Sequence, residues 1–307
     1  MKRFIMLILV LTLLPVAVTG EEEEWTWQES WEYEGIFESC EAIGHTAVVR
    51  DGITALGSPW PYHWDPELEE YVPNEEQYEE GPSLYNLNDT GYFDTILFPD
   101  SLRYLWAESI MFGYYQSLTL PKQLEALDEN ALYDCRIDVL RVETTLPPDD
   151  IRSVLTDNWI KAFEVPDGHP LYKSVDGVLF SRDGKTLLAY PNDRQDTHYD
   201  VPAGVERIGR DAITNEYLKT VSLPIGLKAV EDYAFFGCTR LQSIAFPLTV
   251  REFGENIFDY CVSLELVSLP AGVEMEKPEN DGDAVYYTGD VIYRGDNGDT
   301  CFVEGEY

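Results

Sequence analysis

The chain reads as a solenoid in which units of 22 or 23 residues, each with a short strand, stack turn upon turn. Three observations predict this: prolines recur at a fixed period, set offsets from each proline hold apolar or small residues, and an alternating segment precedes each one. Pro99 and Pro121 lie 22 apart, and Pro202, Pro224, Pro247 and Pro270 follow at 22, 23 and 23. Offset 3 holds Leu102, Leu124, Val205, Leu227, Val250 and Val273, and offset 6 holds Leu105, Leu127, Ile208, Val230 and Phe253. Offset 10 is small (Ser109, Ala131, Ala212, Ala234) except at Ile257, and offset 11 is large and apolar (Ile110, Leu132, Ile213, Phe235, Phe258). One such unit cannot bury its own apolar side, whereas stacked copies share a continuous core.

Taken from the N-terminus, Lys2 and Arg3 precede an apolar run from Phe4 to Val18, and Val18-Thr19-Gly20 offers small residues before Glu21. This predicts a signal peptide over 1–20 and export, with no membrane insertion after cleavage. The formal net charge is −36, and residues 21–90 carry 19 acidic side chains against Arg50 alone. Such a polyanion is repelled by phosphate backbones and anionic lipid, which argues against nucleic-acid and membrane-surface partners. Five tryptophans, Trp25, Trp27, Trp31, Trp60 and Trp64, predict that part of 21–90 packs as an acidic N-terminal cap. Within it, residues 48–54 suggest a hairpin tipped by Asp51-Gly52, and Glu67 to Glu80 suggest a loop.

Each repeat then opens with period-two alternation, as in Thr95-Ile96-Leu97-Phe98, Thr220-Val221-Ser222-Leu223 or Ser243-Ile244-Ala245-Phe246, which predicts a strand with one buried face. Proline ends each strand because it has no N–H for the ladder. The Ala-Phe-x-x-Cys part predicts a single helical turn on the opposite side. The pattern Leu-Pro-x-x-Leu-x-x-Val-x-x-x-Ala-Phe-x-x-Cys-x-x-Leu-x-x-Ile, from Leu223 to Ile244, resembles the BspA-like leucine-rich repeat of bacterial secreted and surface proteins. Residues 170–191 are similar to the β-hairpin unit that interrupts such arrays.

The resemblance covers about 92–275. It implies a leucine-rich-repeat solenoid of short parallel strands in one sheet with short helical turns and β-hairpin insertions, and adhesion or ligand binding outside the cell. The sequence departs from the pattern where Gly113 and Glu216 stand in the place of Cys, which suggests a more open turn. Residues 147–155 read as a short helix with Pro and Asp in its first turn, inside an atypical repeat. The organisation is then repeats over 91–166, a hairpin unit over 167–198 with Gly184 in its connection, repeats over 199–276, and a closing hairpin or cap over 277–307.

The candidate chemistry is sparse. Of five cysteines, Cys135, Cys238 and Cys261 occupy offset 14 and read as buried core residues; Cys238 with Cys261, and Cys40 with Cys301, are pairings left open. His45, His63, His169 and His198 stand alone in sequence, with no motif for an enzyme, and no metal or cofactor is expected. Arg294-Gly295-Asp296 is the tripeptide that some host adhesion receptors recognise, although Gly-Asp is also ordinary turn chemistry. The strand face is the remaining candidate: Thr119, Asp200, Ser222, Ala245 and Ser268, with Leu97, point outward and would form a shallow ladder. The expectation is a non-enzymatic binding protein whose partner is an extracellular protein or glycan. The alternative is a structural or spacer component of an exported assembly.

Overall fold

The computed structural model describes residues 45–57, 93–155 and 157–270 throughout, together with the backbone of short strands elsewhere. The leader 1–20, most of 21–90 including its tryptophans other than the backbone of Trp25 and Trp64, and residues 271–290, Gly295 and Asp296 lie outside the described residues.

Every turn of the coil lays down strands in more than one row. The first row holds the strands that precede the prolines. In the N-terminal part Thr46–Val49 runs parallel to Thr95–Leu97, and Tyr114–Leu120 is parallel to Arg136–Val142, which pairs in turn with Trp159–Ile160 and Phe163–Glu164. In the C-terminal part His198–Asp200, Thr220–Ser222, Ser243–Ala245, Leu266–Pro270 and Val291–Arg294 form a parallel series, and Thr300–Val303 pairs antiparallel with the last. A second row follows the corner after each first-row strand: Ala55–Leu56 after Asp51-Gly52, then Tyr104–Leu105, Ala126–Leu127, Arg207–Ile208, Ala229–Val230 and Glu252–Phe253, each after its proline. A third row joins Leu84–Tyr85, Ile110–Met111 and Leu132–Tyr133. Proline-anchored alternation announces only the first row, because two-residue strands are too short to show a period.

Among the described residues the expected helical turn is reduced to hydrogen-bonded turns in the Pro224 and Pro247 copies. There Phe236 N donates to Tyr233 O (2.8 Å) and Cys238 N to Phe235 O (3.3 Å), a run of three-residue turns. The same stretch straightens into the third-row strands in the earlier copies. Among the described residues the α-helix is Pro148–Ser153, with Pro147 at its N-cap and Asp149 and Asp150 in its first turn, where they favour the positive helix end. No helix among the described residues is long and apolar enough to cross a membrane.

Two expectations for the acidic segment are corrected. Val48–Thr54 is not a hairpin: Thr46–Val49 and Ala55–Leu56 join different sheets, and Asp51-Gly52 forms a corner of the coil with Gly52 at φ +91°. Turn chemistry at Asp-Gly serves a corner as well as a hairpin. A turn of the coil therefore lies inside the acidic segment. Glu70–Pro73, expected in a loop, is a strand antiparallel to Tyr62–Asp65.

Among the described residues the offsets point into the core, with Phe253 only half-buried. Leu102, Leu105, Ile110, Leu227, Phe235 and Phe258 are fully buried, as are Ser109, Ala131, Ala212 and Ala234, where only a small side chain fits. Two apolar clusters fill the coil, one from Ala47 to Ala189 and one from Val178 to Leu269. They meet at the hairpin unit, where Tyr172–Val175, Val178–Ser181 and Thr186–Ala189 run antiparallel. Leu179 and Ala189 belong to the first cluster and Val178, Phe180 and Leu187 to the second, so these strands are apolar on both faces. Asp176 and Gly177, both at positive φ, form the two-residue turn between the first two strands; Gly184 turns the next connection at φ +75°.

Candidate functional site

Site residues on the first row depend on strand register. Asp200 pairs with Ser222 and Ala245 with Ser268, on strands that are neighbours through Thr220 and Ser243, so the four form one outward rung series. Asp200, Ser222 and Ala245 are exposed and Ser268 is half-buried, while Val221, Ile244, Phe246, Val267 and Leu269 face inward. Thr119 lies apart from these four, opposite Arg141 in the N-terminal part, and is half-buried. Leu97 pairs with Val48 and is exposed.

His198 does not stand alone. It begins the C-terminal series with Asp200, and the neighbouring strand brings Thr220 and Ser222 to it. Its Nδ1 lies 2.7 Å from Thr220 Oγ1, and its Nε2 lies 3.0 Å from Asp200 Oδ1 and 3.4 Å from Ser222 Oγ. Hydrogen bonds from Ser222 and then His198 hold the Asp200 carboxyl below the usual range. The four groups sit on an open sheet where water screens them, without the desolvation that tunes an acid–base catalyst. What they offer is a polar, hydrogen-bonding patch at one end of the small-residue ladder. His169 is different: it is buried, its Nε2 faces Thr144 O at 3.0 Å, and its Nδ1 accepts from Tyr172 N at 3.0 Å, so it ties the hairpin to the preceding turn.

The N-terminal part of the row presents another surface. Along Tyr114–Leu120 the residues run exposed, buried, exposed, half-buried, buried, half-buried, buried, so one extra residue at Gln116-Ser117 breaks the alternation. Asp138-Val139 does the same on the next strand. The facet ahead of this bend carries Tyr114, Arg136 and Trp159 on one rung. Arg136 lies over the Trp159 ring at 5.0 Å, and Lys161 over the Tyr114 ring at 5.8 Å. Beside them Asp138 accepts from Tyr114 Oη and Lys161 Nζ, each at 2.5 Å, and Gln116 Nε2 donates to Asp94 Oδ1 at 2.9 Å. Burial would raise the Asp138 carboxyl, but the bonds from Lys161 and Tyr114 outweigh it and hold it below the usual range. The bond to Asp138 raises both Lys161 and Tyr114. Nothing in the proline register points to this facet, since its partners come from the atypical repeat.

The second row is closed by its own charges. Lys185 and Lys228 flank Glu206 at 3.0 and 2.6 Å, Arg207 meets Glu231 at 3.1 Å and Glu252 at 3.4 Å, and Arg210 pairs with Asp232. A recess of about 280 Å³ lies among Arg207, Arg210, Glu231, Asp232, Glu252 and Phe253, and these ion pairs already neutralise its cations.

Cys135, Cys238 and Cys261 are fully buried free thiols, so Cys238 and Cys261 are not bridged. Burial pushes the Cys135 thiol up to about 11, and the hydrogen bond with Cys238, with burial, pushes Cys261 up further. The side chains of Cys40 and Cys301 lie outside the described residues, and their backbones belong to different sheets. The turns that lack Cys are not open. A Cβ on Gly113 would meet the Tyr115 ring at 2.4 Å, because that buried ring fills the space. Beside Glu216, the fully buried Asn215 donates to Pro191 O (2.9 Å) and Arg194 O (2.8 Å) and accepts from Tyr217 N (2.8 Å) and Leu218 N (3.1 Å). Among the described residues no group of three or more His, Cys, Asp or Glu could hold a metal ion. Of the adhesion tripeptide only the backbone of Arg294 is described, at the end of Val291–Arg294.

Against this geometry, a family model described as the BspA type leucine rich repeat region matches residues 189–278 in six copies. Among solved structures, a leucine-rich repeat protein from Eubacterium ventriosum is 13% identical with a TM-score of 0.43, over 75% of this chain and 68% of that one. The pneumococcal vaccine antigen PcpA is 16% identical with a TM-score of 0.36, over 75% and 78%. A leucine rich cell surface protein from Faecalibacterium prausnitzii is 12% identical with a TM-score of 0.38, over 84% and 94%. No curated protein matches the chain.

Proposed function

We propose, from the match of residues 189–278 to the BspA type leucine rich repeat region, an exported, non-enzymatic binding or adhesion protein that presents the outward face of its first strand row to an extracellular protein or glycan. The observation that carries this reading is the ladder Asp200, Ser222, Ala245 and Ser268, aligned by parallel pairing. Small side chains on a stacked sheet make a broad, rigid surface, and repeat proteins use such surfaces to meet macromolecules. Rigidity supports it, since a preformed surface loses little entropy on binding.

The test is binding of the purified chain to an array of extracellular-matrix proteins and glycans at physiological salt. It is run beside a variant carrying Ser222→Arg, Ala245→Arg and Ser268→Arg. Saturable binding that the variant loses supports the reading. Absence of any binding by the folded chain moves the weight to a structural or spacer role.

A further inference from the structure

We infer that the N-terminal facet built by Tyr114, Arg136 and Trp159, with Gln116, Asp138 and Lys161 beside them, is a saccharide-binding platform that takes a glycan chain lying across the strands. This rests on the reading of the chain as a binding protein and narrows its ligand class at a second place on the first row.

Tyr114 is 47% and Trp159 37% exposed, although both are large aromatic side chains on an ordered sheet. They stand on the two strands that flank Arg136, so parallel pairing sets them about 10 Å apart across the sheet. An aromatic face carries negative charge density and attracts polarised C–H groups, which the flat side of a pyranose ring presents. One face of each ring carries a cation, Arg136 on Trp159 and Lys161 on Tyr114, and the part of each ring left exposed, one strand apart from the other, suits alternate sugars of an extended chain.

The polar groups between the rings are the second element. A glycan offers hydroxyl pairs that both donate and accept, and this facet offers carboxylate, amide, guanidinium and ammonium groups within one rung of each ring. These groups are already held in place. Asp138 is fixed by Tyr114 and Lys161, Gln116 by Asp94, and Arg136 by the Trp159 ring. Side chains fixed before binding lose little rotamer freedom on binding.

Charge supplies the third element. The chain has a net charge of −36, whereas this facet balances two cations, Arg136 and Lys161, against Asp138 and Asp94. A polycationic partner is drawn to other parts of the molecule, whereas an uncharged polyol meets no repulsion here. Rings also alternate with charged groups along the rungs, so the facet has no contiguous apolar centre of the kind that a protein interface buries.

The experiment measures affinity of the full chain for soluble β-glucan, xylan, galactan and polygalacturonate by calorimetry. It compares wild type with Tyr114→Ala/Trp159→Ala, with Trp159→Phe, and with the Ser222→Arg/Ala245→Arg/Ser268→Arg variant, each checked for an unchanged melting transition. The expected result is binding to at least one neutral polysaccharide, weakened tenfold or more by the double alanine variant, largely kept by Trp159→Phe and unaffected by the arginine variant. If no polysaccharide binds, or the double variant binds as wild type does, the platform is overturned. Binding of polygalacturonate alone, lost in Arg136→Gln but unchanged in Trp159→Ala, overturns stacking in favour of simple ion pairing. A protein ligand that is still lost in the arginine variant would show that only this inference has failed, not the broader binding role.

Discussion

Cys261 Sγ donates to the carbonyl oxygen of Phe235, 3.1 Å away in the preceding turn. The same relation joins Cys238 to Ile213 at 3.0 Å and Cys135 to Ile110 at 3.5 Å. In each case the residue at offset 14 reaches the residue at offset 11 of an earlier copy. Asn158 makes the bond to Leu132 O through its amide at 2.8 Å, which places it in the same role inside the atypical repeat. The position therefore calls for a small side chain that also donates a hydrogen bond, and Cys combines an apolar body with a weak donor.

The thiols should behave accordingly. Raised thiol pKa values and full burial mean that Cys135 and Cys261 carry almost no thiolate at pH 8, where free cysteine is partly ionised. A thiol reagent added to the native chain at pH 8 is expected to leave Cys135, Cys238 and Cys261 unmodified, and to label all three after denaturation in urea. Peptide mapping of the labelled sites checks this, and rapid native labelling would contradict it.

Replacing Cys261 by Ala keeps the size small but removes the donor to Phe235, and should cost about 1–2 kcal/mol in urea unfolding. Cys261→Ser restores a donor and should recover part of that loss. Equal losses in the two variants would mean that the bond contributes nothing.

Asn215 closes a turn through carbonyls on one side and the N–H groups of Tyr217 and Leu218 on the other. Asn215→Ala strands these buried groups, and a loss of about 2–4 kcal/mol follows from leaving several polar atoms unpaired. Asn215→Asp keeps the acceptor and loses the donors, so it should also destabilise at neutral pH. Denaturant midpoints of both variants, read at pH 7, decide the matter.

Asp138 gives a pH dependence with a definite sign. Its carboxyl is held below the usual range in the folded chain, so the stability it contributes is fully present above that range. It is lost as the pH falls through the lowered folded value. At neutral pH Asp138→Asn should cost up to about 1 kcal/mol, the scale of an exposed ion pair. The gap between wild type and variant should close as the pH drops below the ordinary carboxylate range. A gap that is constant down to acid pH would show that the carboxylate is not favoured by folding.

How far the sequence reaches can be read from these same residues. Leu102, Ile208 and Phe235 were legible because the period of 22 or 23 survives from copy to copy and each offset meets the same core environment. Asn158 and Asn215 were not, because a different side chain, one place along or in a blurred repeat, does the work of the missing Cys. Thr220 and Ser222 reach His198 only through strand pairing, across 22 and 24 residues of chain. Tyr114, Arg136 and Trp159 meet where the alternation slips by one residue, at Gln116-Ser117 and again at Asp138-Val139. A slip of that kind moves side chains to the other face, and offsets counted from proline cannot follow it.

The central claim is that the first strand row is the surface that binds. The most direct measurement takes a ligand that Tyr114→Ala/Trp159→Ala still binds and compares its dissociation constant for wild type, for the Ser222→Arg/Ala245→Arg/Ser268→Arg variant and for Lys228→Glu on the second row. The account predicts a weakening of tenfold or more, about 1.4 kcal/mol, in the first variant and little change in the second. Equal affinity in the first variant, or a loss confined to Lys228→Glu, would contradict it.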